Sequence, residues 1–190
     1  MTTNVILASG SPRRRNLLRA ADISFEVVES GVEELCGQGE EPGDYALRLA
    51  SDKALAVSSR YPDALVIGAD TIVYCEGELL EKPSSPDDAR RMLEKLSANV
   101  HVVITAFAIA RGGAILEREP VRSRVTFRPL TSGEIADYIA SGEPFDKAGA
   151  YGIQGHAASF IAHVDTERDN VMGLPTARVV AALRRHGYTG

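Results

Sequence analysis

The sequence predicts an α/β protein built on a mixed sheet flanked by helices. Three observations predict it. Short apolar runs alternate with longer segments of helical periodicity along the whole chain, which argues against separate all-helical and all-strand blocks. Turn signals at Glu76-Gly77-Glu78 and Arg111-Gly112-Gly113 each fold one strand back on the next, so the sheet is not purely parallel. Hydrophobic residues at 44% and charged residues at 25% give an ordinary globular balance, and 190 residues are enough for one domain or two closely packed lobes.

The elements follow in order. Asn4–Ala8 reads as a buried strand. Ser9-Gly10-Ser11 is a turn, with Ser11 the N-cap and Pro12 the first residue of a helix whose apolar face is Leu17, Leu18 and Ala21. Ser24–Glu29 is a second strand. Pro42–Ser58 is a helix, with Tyr45, Leu49, Ala50, Ala54 and Val57 at helical spacing. Leu65–Tyr74 is a long strand with a glycine kink before its acid. Ser85-Pro86 opens a helix that turns Met92, Leu93 and Leu96 inward. Val100–Ala110 is another long strand. Val121–Arg128 alternates apolar and basic residues, a half-buried strand. Thr131-Ser132-Gly133-Glu134 is a capping box before Ile135, Tyr138 and Ile139. Ala158–Val164 is a strand, and Gly173-Leu174-Pro175 opens a last helix ending near Gly187.

Charge and composition exclude several classes. A net charge of −5 disfavours broad binding to a nucleic-acid polymer, so an anionic ligand needs a local cluster of cations. No apolar run reaches the roughly 20 residues of a membrane helix. Met1–Leu7 lacks the charged start and long apolar stretch of a signal peptide. Cys36 and Cys75 have no metal-type spacing and read as reduced thiols of a cytoplasmic protein.

Several segments carry residues suited to chemistry. Asp146-Lys147-Ala148-Gly149-Ala150-Tyr151-Gly152-Ile153-Gln154-Gly155 threads charges, an amide and glycines between small residues. Lys147 is a point charge suited to phosphate, and Gln154 offers the donor and acceptor needed to read a nucleobase edge. Taken alone, this segment also reads as a Gly-rich turn after a helix. Ser9-Gly10-Ser11-Pro12-Arg13-Arg14-Arg15 joins a strand to a helix N-terminus, where free N–H groups and forked guanidinium donors suit an anion. The alternative is a capped helix with a solvated basic first turn, but cations there oppose the helix dipole. It is no P-loop, since the Gly-Lys-Ser/Thr ending is missing.

Asp70, in Gly68-Ala69-Asp70-Thr71, lies in an otherwise apolar run, and buried carboxylates are rare unless paired, metal-bound or catalytic. It suits metal binding or water activation, or else it caps a turn. Lys82, in Glu81-Lys82-Pro83, follows the hairpin that begins at Asp70 and would return towards it; alone, it reads as an exposed loop residue. Of Glu33 and Glu34, one at most would point into a site. The His residues at 101, 156, 163 and 186 have no ligand spacing and read as structural or surface residues.

Together, Leu7–Arg14, Gly68–Thr71, Glu81–Pro83, Asp146–Gly155 and Gly173–Pro175 resemble the Maf family of nucleoside triphosphate pyrophosphatases, in order and over nearly the whole chain. The resemblance implies a single Maf-like domain over residues 1–190, with a fold like that of inosine triphosphate pyrophosphatases: a mixed, twisted sheet and two lobes around a cleft. It implies hydrolysis of a nucleoside triphosphate to the monophosphate and pyrophosphate, with a divalent cation as cofactor, Mg²⁺ or else Mn²⁺ or Co²⁺. By resemblance Asp70 is the general base, with Lys82 beside it in the catalytic set. Arg13, Thr71 and Gln154 match positions linked to substrate choice. Ser9, Ser11, Arg14, Lys53, Lys82 and Lys147 match polar substrate positions. Glu34 matches a family acid and, with Asp70, is the expected metal contact. The Ile153-Gln154-Gly155 form is similar to the subfamily acting on dTTP and UTP. Ser97–Val100 and Asp165–Asn170 depart from the family's usual residues, which leaves the cleft wall and base preference open. The rival expectations are a nucleotide-binding regulator of septum formation with little turnover, and a 7-methyl-GTP pyrophosphatase. A homodimer is expected.

Overall fold

The computed structural model describes residues 4–37 and 39–190; Met1–Thr3, the start of the segment read above as lacking a signal peptide, and Gln38 lie outside the described residues. The mixed sheet flanked by helices is as expected. The strands, β1 (Val5–Leu7), β2 (Glu26–Val27), β3 (Leu65–Cys75), β4 (Glu78–Leu80), β5 (Val100–Arg111), β6 (Ala114–Phe127) and β7 (Ile161–Val164), form one open sheet in the order β2-β1-β3-β5-β6-β7, with β4 paired to β3 off that path. The helices are α1 (Pro12–Ala20), α2 (Pro42–Ser58), α3 (Pro86–Leu96), α4 (Ser132–Ala140), α5 (Arg168–Met172) and α6 (Thr176–Arg185). Among the described residues no helix is long and apolar enough to cross a membrane. The chain divides into two compact units, Met1–Asp70 with Thr105–Val121 and Gly173–Gly190, and Thr71–Ile104 with Arg122–Met172.

In the first unit β1 runs parallel to β2 and to β3, with Leu7 opposite Val27 and Ile67. Helix-length crossovers between these strands make parallel pairing reachable. Successive β1 side chains point to opposite faces. Val5 and Leu7 pack with Leu18 of α1 and Val179 and Leu183 of α6, while Ile6 and Ala8 pack with Val57 of α2. Gly68 is where α2 meets β3. A Cβ there would lie 2.1 Å from the Ala50 carbonyl oxygen and 2.7 Å from the Ala54 nitrogen. The expected glycine kink is therefore a close helix–strand approach, which only a residue without a side chain permits.

In the second unit β3 turns back antiparallel onto β4, with Val73 opposite Leu80. Leu80, Met92, Leu93, Val103, Val125, Phe127, Ile135, Tyr138, Tyr151 and Phe160 build its core. Ser85 caps α3, and the capping box of α4 is complete, Thr131 and Glu134 each accepting from the other's backbone N–H.

Four elements differ from expectation. The second strand, expected over Ser24–Glu29, is the two-residue β2, Glu26–Val27. β6 begins at Ala114 rather than Val121. Its first half carries Glu117 and Glu119, which ion-pair with Arg185 and Arg178 of α6 in place of apolar packing, so the usual strand alternation is hidden. The expected strand over 158–164 is a 3₁₀ helix over His156–Phe160 followed by the shorter β7. Arg168–Met172 forms α5 in a segment with no helical signal, where buried Asn170 donates to Ser123 at 2.7 Å.

Substituting Gly68→Ala should force α2 off β3 and lower folding stability by about 1–3 kcal/mol, as overpacking does. Urea unfolding monitored by circular dichroism checks this, and an unchanged midpoint would remove the close approach as a constraint.

Candidate active site

The site is assembled around one buried carboxylate. Asp70 sits mid-strand in β3, not at a strand end, and is 6% exposed. Two residues along from Gly68, its side chain meets Lys53 of α2, whose ammonium donates to Asp70 Oδ1 at 2.7 Å and to Glu34 Oε1 at 2.6 Å. Lys53 falls on the apolar face of α2, four residues after Leu49, and is itself buried. The sequence signal that would have found it without any resemblance is a lysine in phase with a buried stripe.

A second cation supports the pair. α1 begins right after the β1 turn, with Ser11 capping it by accepting from the Arg14 N–H. Arg14 folds back: its Nε donates to the Gly173 carbonyl at 2.8 Å and Nη1 to the Ser9 hydroxyl at 3.1 Å. Arg13 is half-buried one residue earlier on the same turn. The arginines that oppose the α1 dipole are thus offset, for Arg14, by the fields of Asp70 and Glu34. Gly173 as a partner of Arg14 was not legible from local sequence.

Burial pushes the Asp70 carboxyl above its ordinary range, and the nearby Lys53 and Arg14 charges offset part of that rise. Burial likewise pushes the Arg14 guanidinium down, while Asp70 and Glu34 hold it up. The result is a buried carboxyl with Lys53, Arg14 and the Ser9 hydroxyl gathered around it. Ser9, Arg14, Glu34, Lys53 and Asp70 are brought together, with Ser11 joined through its N–H to Ser9 Oγ at 3.3 Å.

The other sequence-predicted residues belong to the second unit. Thr71 is half-buried and Lys82 exposed. Lys147 donates to the Glu143 carbonyl and to Asp146 Oδ1, each at 2.5 Å, so the contacts seen are within its own segment. Gln154 is exposed. Among the described residues no group of three or more His, Cys, Asp or Glu side chains is arranged to hold a metal. Glu34 and Asp70 nevertheless converge on one point, the Lys53 ammonium, and are hard oxygen donors of the kind Mg²⁺ accepts.

Fold and site together define an α/β protein with a buried, cation-flanked carboxylate. The family model for Maf-like proteins matches residues 4–186. The chain belongs to the Maf family. It is 50% identical over 188 residues to a protein of Geotalea uraniireducens named dTTP/UTP pyrophosphatase, covering 97% of this chain and 96% of that one. A protein of the same name from Citrifermentans bemidjiense is 48% identical over 191 residues, covering 99% and 98%. Among solved structures, a HAM1 protein from Coxiella burnetii has the same fold at TM-score 0.54 and 12% identity, covering 97% of this chain and 100% of that one.

Replacing Lys53 by Met should strip Asp70 of its nearest cation. The carboxyl then rises further, so the acid limb of any Asp70-dependent pH–rate profile moves to higher pH, and stability falls by about 3–5 kcal/mol as for a broken buried pair. Lys53→Arg should keep the limb near its wild-type position. A limb that stays in place in Lys53→Met would show that Lys53 does not tune Asp70.

Proposed function

We propose that the chain hydrolyses nucleoside triphosphates, dTTP and UTP foremost, to the monophosphate and pyrophosphate. The observation that carries this reading is buried Asp70, raised by burial and bonded to Lys53. It sits in a chain about half identical to relatives named dTTP/UTP pyrophosphatase. In this reading Asp70 takes a proton from water as its oxygen bonds the α-phosphorus. The bond from that phosphorus to the bridging oxygen breaks, and pyrophosphate leaves. The substrate brings about four negative charges, so the protein's part is mostly positioning and charge stabilisation.

Arg13, Arg14, Ser9 and Ser11 supply phosphate donors at the α1 N-terminus, where free N–H groups add to them. Lys82 and Lys147 carry over as phosphate cations. Thr71 and Gln154 carry over as the groups that hydrogen-bond the pyrimidine. Glu34 and Asp70 would hold a divalent cation, Mg²⁺ or else Mn²⁺ or Co²⁺, with phosphate oxygens and water completing its shell. Such a cation neutralises phosphate charge and lowers the pKa of bound water. A homodimer in the cytoplasm belongs to the same reading.

The experiment is pyrophosphate release with Mg²⁺ from dTTP, UTP, CTP, GTP and 7-methyl-GTP. Release from dTTP and UTP above the rest is expected. Asp70→Asn should lower turnover by ~100-fold or more while nucleotide binding stays measurable, the range of a lost general base. Gln154→Ala should narrow the preference among bases more than it slows the best substrate. Release mainly from 7-methyl-GTP would discard the pyrimidine assignment, and binding without release would favour a nucleotide-sensing regulator.

A further inference from the structure

The second unit holds a buried histidine that no catalytic role uses. His101 of β5 is 1% exposed, and its Nε2 shares a 2.7 Å hydrogen bond with the hydroxyl of Tyr151. Its other ring nitrogen, Nδ1, is buried without a hydrogen-bond partner among the described residues. The imidazole packs edge-on to Phe127 and to Tyr151, at centroid distances of 5.1 and 5.3 Å, and those two rings pack edge-on to each other at 4.7 Å. A phenylalanine at 101 would fill this space with no orphaned nitrogen. A buried polar atom left unsatisfied costs stability, so the bond to Tyr151 is what the imidazole adds.

Tyr151 lies between Lys147 and Gln154, and the backbone there is held out of its ordinary range. Ala150 has φ 60° and Gly149 φ 69°, successive left-handed residues. For Ala150 this conformation persists only where its surroundings impose it. On one side they do: the Gly149 N–H donates to the Glu81 carbonyl at 3.1 Å, and a Cβ on Gly149 would lie 2.9 Å from a Val73 methyl. On the other side, the next anchored group is the Tyr151 hydroxyl on His101. These anchors hold Ala150 between them, and Gln154 follows three residues after the second.

We propose that His101, acting through Tyr151, is a positioning residue that fixes the segment presenting Gln154 and thereby sets the preference among bases. This rests on the proposed hydrolysis of nucleoside triphosphates. The imidazole stays neutral at physiological pH because burial pushes it down to about 4, so the bond persists over the working range. Burial likewise pushes the Tyr151 phenol up, which keeps its proton in place.

The test uses the full chain and the variants Tyr151→Phe, His101→Phe, the two combined, and His101→Gln. Each is followed by kcat and KM on dTTP, UTP and GTP, by melting temperature, and by amide hydrogen exchange over residues 147–155. Tyr151→Phe and His101→Phe should each lose ~10- to ~100-fold in kcat/KM on dTTP and UTP, as a small misplacement of a binding group does, with a smaller change on GTP. Amides of 149–155 should exchange faster, with the rest of the unit unaltered. The combined variant leaves neither partner unpaired and should regain melting temperature without regaining base preference. His101→Gln, whose amide can still bond the Tyr151 hydroxyl, should keep most of the preference. A combined variant that regains both would overturn the proposal, as would equal losses on all the nucleotides or unchanged exchange over 149–155. If the wild-type chain releases no pyrophosphate from any nucleotide, the proposed activity fails, while the exchange comparison still decides whether His101 holds this segment.

Discussion

The bond between Lys53 and Asp70 depends on how closely α2 lies against β3, and much of the first unit is arranged to permit that approach. A helix packed on a sheet usually stands off by the thickness of its side chains. At Gly68 that layer is absent, and the backbone atoms of Ala50 and Ala54 press on the strand. The neighbours of the contact on α2 are Ala46, Ala50 and Ala54, all fully buried and all small. Lys53 stands one turn on from Leu49, so its stem is carried into the interior with the apolar stripe and only its ammonium finds polar atoms. A lysine buried in this way is costly unless paired, and here it has two carboxylates.

That pairing decides the electrostatics of everything nearby. Burial raises the Asp70 carboxyl from its ordinary range, and the Lys53 and Arg14 charges offset part of that rise. Arg14 is part of the same balance, since its guanidinium is anchored to Ser9 and Gly173 while Asp70 and Glu34 favour its charge. Glu34 differs from the others. It is 42% exposed on an irregular segment, and its bond to Lys53 is the part of the cluster most open to competition from another cation or from phosphate.

Much of this was legible in the chain, for stated reasons. The boundaries of α2 could be read because Pro42 starts it and its apolar residues recur at helical spacing through Ser58. Asp70 could be singled out because a charge in an apolar strand has few structural uses. Gly68 could be marked as special but not explained, since sequence does not say whether a glycine serves a bend or a close approach. The early start of β6 was hidden because ion pairs to α6 replace apolar packing there. The contacts of Lys147 with Glu143 and Asp146 in its own segment follow from the 3₁₀ turns, which periodicity does not reveal. The histidines read as structural or surface residues, and His101 is a buried structural one, but spacing carries no signal for its bond to a tyrosine fifty residues away.

The two units hold their buried polar groups by different physical means. In the first, long-range order does the positioning: a strand, a helix and a glycine contact set a carboxylate against an ammonium, and the charges follow. In the second, the residues in question lie on irregular backbone, where neither sheet nor helix hydrogen bonds fix the course. Fixing it takes local devices. Left-handed turns at Gly149 and Ala150 narrow the conformations open to the chain, a backbone bond to Glu81 ties one end, and an aromatic pocket with a single hydrogen bond ties the other. A loop bound this way at both ends loses little further entropy when a ligand arrives, and contacts to that ligand then discriminate by geometry rather than by reordering the protein. If Gln154 reads the base as proposed, a loop tied in this way would place its amide by geometry rather than by reordering on binding.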